Sequence, residues 1–220
     1  MKIGRILFVV LMLAGCTRLP EIRTIEGITS ASPVASCVAI FPQGRWQFVH
    51  SIEIQPPVGS EQTVLGVIQL SSQLRAFHCV LMTIEGLVLF EADFDGAVKV
   101  QRALPPLDKP GMAEGIVRDI SLIFLAPKQP LETAGFSKDA ERICRYPSAD
   151  VGVEDVALKP GGLWEIRLYN QFHHLTRLVS AMSKEDSNAA GLPSMVVLKA
   201  PGALGYTLKM RLIEATPLEE

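Results

Sequence analysis

Apolar and polar residues alternate with a period of two through much of the first half of the chain. Trp46, Phe48, His50, Ile52 and Ile54 alternate with Gln47, Val49, Ser51 and Glu53. Successive side chains of a strand point to opposite faces, so this run predicts a half-buried strand. Gln55-Pro56-Pro57-Val58-Gly59-Ser60 breaks it, and Thr63 to Leu70 is the next strand. Ser71-Ser72-Gln73 turns the chain into Leu74 to Ile84, and Glu85-Gly86 turns it again into Leu87 to Phe94. Asp95-Gly96 is a two-residue hairpin signal that leads into Ala97 to Arg102. Five strands with short links make an antiparallel meander. Several are apolar on both faces, Val64, Ile68 and Leu70 on one side of a strand and Leu65 and Val67 on the other. A sheet with one wet face alternates cleanly, so this sheet is covered on both sides or curls around something apolar.

The pattern then changes period. Met112, Ile116, Ile120 and Ile123/Phe124 recur at helical spacing, opposed by Glu114, Arg118 and Asp119, which predicts an amphipathic helix from Met112 to Leu125. Ser137 to Cys144 reads as a second short helix, and Pro147 to Pro160 as irregular chain or a weak strand. Period two returns where Trp164, Ile166 and Leu168 alternate with Glu165 and Arg167. Phe172 to Met182 is long and mixed, Ser183 to Pro193 is polar and small as in a surface loop, and Met195 to Lys199 is short. Tyr206, Leu208, Met210 and Leu212 alternate with Thr207, Lys209 and Arg211 in the clearest strand of the chain. Strands, then one or two helices, then strands define an α+β fold.

The N-terminus changes the picture from fold to compartment. Lys2 and Arg5 precede an apolar run from Ile6 to Leu13, which gives way to Ala14, Gly15 and Cys16. That is the layout of a secretory signal, and the run is far short of the ~20 residues of a membrane-spanning helix. Residues 1–15 are therefore read as signal peptide, 16–36 as a tether and lead-in with Pro20, Gly27 and Pro33, and 37–220 as one domain. The full chain carries a formal charge of −2, and the removed segment holds two cations and no acid. A mildly acidic chain without clustered Lys/Arg excludes nucleic acid as a partner class. Cys37, Cys79 and Cys144 remain beyond Cys16, enough for one bridge and one leftover thiol in three possible pairings.

Motifs for catalysis are missing from the sequence. It contains no Gly-x-Ser-x-Gly elbow, no Ser-x-x-Lys pair, no P-loop and no dinucleotide fingerprint. The adjacent pair His173-His174 would point to opposite faces of a strand, and neither it nor His50 and His78 has metal-ligand spacing. Asp95 is a turn residue, and Glu53, Glu85, Glu91 and Asp93 read as strand ends or solvated faces. No catalytic residue, metal or cofactor is assigned.

Leu13-Ala14-Gly15-Cys16 resembles the lipobox of bacterial lipoproteins, which implies cleavage before Cys16 and a lipidated Cys16. Thr17 stands where an Asp would resemble an inner-membrane retention signal, so the resemblance implies anchoring in the outer membrane, facing the periplasm. Three further stretches, Phe41 to Glu53, Leu81 to Ala92 and Phe94-Asp95-Gly96, look like those of an uncharacterised family of bacterial lipoproteins with a LolA/LolB-like fold, often encoded beside aryl-polyene or fatty-acid-type biosynthesis genes. The likeness implies a strongly curved antiparallel sheet, an incomplete barrel, closed by one or two helices over an apolar cavity. The cavity lining it implies, read from the alternating faces, is Trp46, Phe48, Ile52, Val64, Ile68, Met82, Leu89, Phe90, Ile116, Ile120 and Phe124. The outer-membrane lipoprotein receptor of that fold carries a protruding loop with an exposed leucine between early strands. The comparable links here, Ser71-Ser72-Gln73 and Glu85-Gly86, are short and predict no apolar tip. The expected function is thus binding and placement of an acyl, lipid or polyene-type chain, with membrane attachment through Cys16 and no enzymatic activity; the alternative is an envelope docking protein that takes no ligand. The anchor is tested by Cys16→Ala, which is expected to move the protein from the membrane fraction to the soluble fraction; unchanged partitioning would refute lipidation.

Overall fold

The computed structural model describes residues 19–23, 32–148, 152–182, 192–203 and 205–219. The predicted signal, Cys16 and most of the predicted Ser183–Pro193 loop lie outside them. A first meander comprises β1 (Arg45–Gln55), β2 (Gln62–Ser71), β3 (Ala76–Met82), β4 (Val88–Phe94) and β5 (Val98–Ala103). These are the five strands that the alternation predicts. A second comprises β6 (Thr133–Phe136), β7 (Arg142–Ser148), β8 (Gly152–Leu158), β9 (Trp164–Tyr169), β10 (Leu175–Ala181), β11 (Met195–Ala200) and β12 (Tyr206–Pro217). All pair antiparallel into one 12-stranded sheet, in the order β5-β4-β3-β2-β1-β12-β11-β10-β9-β8-β7-β6. β1 and β12 join the halves, in register from Trp46 opposite Pro217 to Gln55 opposite Thr207, with a bulge between Val49 and His50.

Two helices accompany the sheet: α1 (Ser32–Val38) and α2 (Met112–Phe124). The buried side chains of β1–β4 and of β7–β12 belong to one apolar cluster together with α2. Neighbouring strands hold their partners only ~5 Å apart, so both halves can meet one helix only if the sheet bends around it. The sheet is strongly curved and unclosed, with β5 and β6 at its edges. The concave side is filled by α2 and by α1, which Cys37 ties to β7 through a disulfide with Cys144. Arg142 of β7 also donates from Nη1 to Ser36 Oγ at 3.1 Å.

One sequence expectation is corrected here. Ser137 to Cys144 is not a helix but the link and start of the β6–β7 hairpin. The Ser137 hydroxyl accepts from the Asp139 and Glu141 amides, and Ala140 reverses the chain at φ 58. Local side-chain bonds of this kind outcompete helical turns. The segment from Pro147 to Pro160, read as irregular chain or a weak strand, contains the strand β8, whose Glu154 and Asp155 mask its apolar alternation. Within residues 16–36, read as tether and lead-in, the described residues include a stretch fastened to the sheet. Pro20 to Arg23 is bound to the sheet, since Arg145 Nη2 donates to the Pro20 carbonyl at 2.9 Å and Arg23 bridges Phe136.

The disulfide closes a long loop, its cysteines separated by 107 positions in sequence. Removing a native bridge costs about 2–5 kcal/mol, so Cys37→Ser and Cys144→Ser should each lower the urea midpoint. Cys79 is buried on β3, and burial pushes its thiol pKa up to about 11. An aromatic disulfide reagent should therefore titrate no Cys79 thiol in the folded protein at pH 8 and one after denaturation, and fast reaction in the native state would contradict its placement.

Candidate functional site on the concave face

The concave face is built by every second residue of each strand. Trp46, Phe48, His50 and Ile52 of β1 stand beside Leu70, Ile68, Gly66 and Val64 of β2. Cys79 and Ala92 continue the row across β3 and β4. Phe48, Phe90 and Phe124 are 0–1% exposed, and Phe124 of α2 stacks on Phe48 at 5.5 Å between ring centroids. Trp46 stacks on Phe48 at 5.9 Å. Ile52, Val64, Ile68 and Ile120 are also buried in this cluster, and Leu89 and Ile116 pack against it half-buried. Met82 does not join them. It shares the convex face with Val80 and His78, opposite Leu65, because the alternation that turns Phe77 and Cys79 inward turns Met82 outward.

The other wall of the same face escapes a reading of single strands. Val156, Ile166, Val179, Leu198 and Met210 are all buried within the same cluster. Only the β1–β12 pairing brings them opposite Phe48 and Phe90, and nothing in the local pattern announces a partner more than 150 residues away in sequence.

Six polar groups interrupt this apolar interior. Asp119 of α2 is 4% exposed. Its Oδ1 accepts from Arg177 Nε of β10 at 2.8 Å, and its Oδ2 accepts from the Tyr206 hydroxyl of β12. The Arg177 guanidinium lies over the Tyr206 ring at 5.5 Å. Burial first, and then the Asp119 carboxylate, raises the phenol pKa of Tyr206. The helix reading places Asp119 on the solvated side, yet it stands three residues after Ile116 and four before Ile123, on the apolar stripe by helical geometry. That spacing is the signal that could have found it. The remaining groups are His50, Tyr146 and Glu154. His50 Nδ1 and the Tyr146 hydroxyl have no hydrogen-bond partner among the described residues, and Glu154 is the cross-strand neighbour of Tyr146.

Two hollows are described, of about 360 and 300 Å³. Arg45, His78, Asp93, Asp95 and Lys99 edge the larger. The smaller lies between the N-terminal segment and the β6–β7 turn. Neither is lined by any of the residues predicted to surround an apolar cavity. The concave face is packed with the protein's own side chains.

The links of the first meander differ from expectation. Leu74, Ile84 and Leu87 are 77, 67 and 54% exposed. The β3–β4 turn is closed by Thr83 N–H to the Leu87 carbonyl at 2.9 Å, which takes Ile84 and Leu87 out of the strands and into an apolar tip. On the convex face His78 Nδ1 sits 2.9 Å from Asp93 Oδ1, and Gln101 donates to the other Asp93 oxygen. Glu53 pairs with Lys209 and Asp95 with Lys99. His173 and His174 lie in the exposed β9–β10 turn, apart from His50 in the core. Among the described residues, no three His, Cys, Asp or Glu side chains gather as a metal site would require.

Two buried groups give stability opposite pH slopes. Burial pulls the His50 pKa from 6.5 down to about 4. The unfolded chain binds its proton first as pH falls, so stability is lost from pH 6.5 downward, by about 3 kcal/mol at ~1.4 kcal/mol per pKa unit. Burial pushes the Glu154 pKa from 4.5 up to about 7, against the pull of Arg75. Its neutral form is the folded one, so stability falls as pH rises through that window. His50→Leu should thus raise the urea midpoint more at pH 4.5 than at pH 7, and Glu154→Gln should do the reverse. Equal effects at both pH values would show that neither group is desolvated as described.

No protein-family model matches the sequence, and no curated protein matches it. The fold does have counterparts. A LolA superfamily protein from Nitrosomonas europaea superposes with a TM-score of 0.57 at 12% identity, over 86% of this chain and 93% of that one. A candidate outer membrane lipoprotein-sorting domain from Vibrio parahaemolyticus superposes with a TM-score of 0.51 at 8% identity, over 86% and 93%. At these identities the likeness establishes a LolA-like fold for this chain.

Proposed function

We propose that this chain is a non-catalytic lipoprotein of the bacterial envelope, anchored in the outer membrane through Cys16, that carries an acyl, lipid or polyene-type chain on its concave face and assists its placement. The carrying observation is how the apolar wall is covered. One 13-residue helix, α2, lies against both halves of the sheet. Asp119 pins its middle to Arg177 and Tyr206 on the second half. A ligand chain would take the helix's place rather than fill a standing void. Each methylene it buries contributes ~0.8 kcal/mol, which offsets the apolar area uncovered when α2 lifts. The LolA-like fold supports this reading, as does the exposed Ile84–Leu87 tip, an apolar contact where short links predict none. The packed interior favours the second reading, an envelope docking protein without a ligand.

Binding of a fluorescent polyene fatty acid separates the two. The soluble Cys16→Ala domain should enhance the probe's fluorescence, palmitate should compete it away, and Asp119→Asn, which weakens the pin, should speed its uptake. Native mass spectrometry of the same domain purified from its host should show a bound apolar molecule. No fluorescence change in either form, with no mass adduct, would leave the docking reading.

A further inference from the structure

The N-terminal segment is fastened to the convex side of the second meander. Arg145 holds Asp155 with Nε and Nη2 at 2.7 and 2.8 Å, and the same Nη2 donates to the Pro20 carbonyl. Asp155 is fully buried. Arg23 and Phe136 exchange backbone hydrogen bonds of 2.9 and 3.1 Å. Gly135 makes the close approach possible, because a Cβ there would stand 2.3 Å from the Arg23 carbonyl oxygen and 2.7 Å from Ile22 Cγ2. The fastening therefore begins at Pro20, next to Leu19, and Leu19 follows Cys16 by three residues. Three residues span at most ~11 Å.

Beside this segment opens the hollow of about 300 Å³, edged by Pro20, Glu21, Arg23, Lys138, Asp139 and Glu141. Its floor is neutralised, since Arg167 binds Glu141 through two nitrogens at 3.0 and 2.9 Å. Its rim is not. Arg23, Lys138, Glu21 and Asp139 are exposed, and among the described residues no ion pair joins them. Two cations and two acids around one small polar hollow match a group that carries both charges. Its phosphate would meet Arg23 and Lys138, and its ammonium would meet Glu21 and Asp139. A purely anionic headgroup would meet the acids unfavourably.

We propose that this face is where the domain rests on the bilayer, and that the hollow seats a phosphoethanolamine headgroup of the lipids around the anchor. The proposal rests on Cys16 as the anchored residue, and the short chain after it is what brings the hollow to the membrane. The test couples the mature chain through the Cys16 thiol to a maleimide lipid in vesicles, so that its outcome does not depend on whether cells lipidate Cys16. Hydrogen exchange is then compared with that of the same chain, thiol-blocked, in solution. On vesicles rich in phosphatidylethanolamine, the amides from Lys138 to Glu141 should exchange more slowly than in solution. The slowing should be lost on phosphatidylglycerol vesicles. It should also be lost in the double variant Arg23→Glu, Lys138→Glu, whose surface changes leave the thermal midpoint in place. Gly135→Leu, which expels Ile22, should abolish it while the protein stays coupled. Equal exchange on and off vesicles, or protection at the Thr83–Leu87 turn instead, would overturn the contact surface. Equal slowing on phosphatidylglycerol would overturn the headgroup.

Discussion

The pairing of β1 with β12 holds this molecule together. Each flanking meander is a run of hairpins, and a hairpin needs only its neighbour. The concave face needs both runs at once, because Phe48, Ile52 and Ile54 meet the second half across the seam at Ala215, Met210 and Leu208. These two strands are also the longest among the described residues, 11 and 12 residues, and they pair over nearly the whole length of β1. The bulge between Val49 and His50 sits in that seam. Bulges bend a strand and increase its twist, which is the deformation a sheet requires to wrap a helix.

Polar groups on the apolar wall divide into a satisfied set and a strained set. Asp119, Arg177 and Tyr206 satisfy one another, and removing one member of such a buried set costs about 3–5 kcal/mol. They fix where α2 sits along the sheet. His50 and Tyr146 are buried without a hydrogen-bond partner among the described residues, and burial shifts the pKa values of His50 and Glu154 toward their neutral forms. Together they make the interior more responsive to pH and to displacement than an all-aliphatic core would be.

Much of this was legible in the residues. The five strands from Trp46 to Arg102 and the helix after Met112 follow from periodicity, and ten of the eleven proposed lining residues do meet in one cluster. Met82 stands apart because the alternation that places Phe77 and Cys79 on the concave face places it on the other. The β6–β7 link misleads because Ser137, Asp139 and Ala140 have moderate helix propensity while their side-chain and backbone bonds build a turn. Asp119 shows the opposite error, a charge assigned to water by type although its spacing set it among apolar residues. The long-range facts, the seam and the choice of Cys37 with Cys144, are not local properties, and no window of the sequence contains them. Nor does any window show that the interior is packed, since the same alternating faces can line a void or fill one.

The position of β12 has a consequence for how the protein comes to exist. It is the last strand in sequence order but occupies the middle of the sheet, between β1 and β11. A chain that emerges from a ribosome or a translocon from its N-terminus onward therefore presents β1 with one unpaired side, and later β11 with another, until its final residues arrive. Open strand edges invite pairing with other chains, and partly folded species that expose them aggregate. The sheet is completed from its ends toward its centre, and its two halves wait on the same strand. Truncation near Tyr206 would thus remove the keystone of the whole sheet.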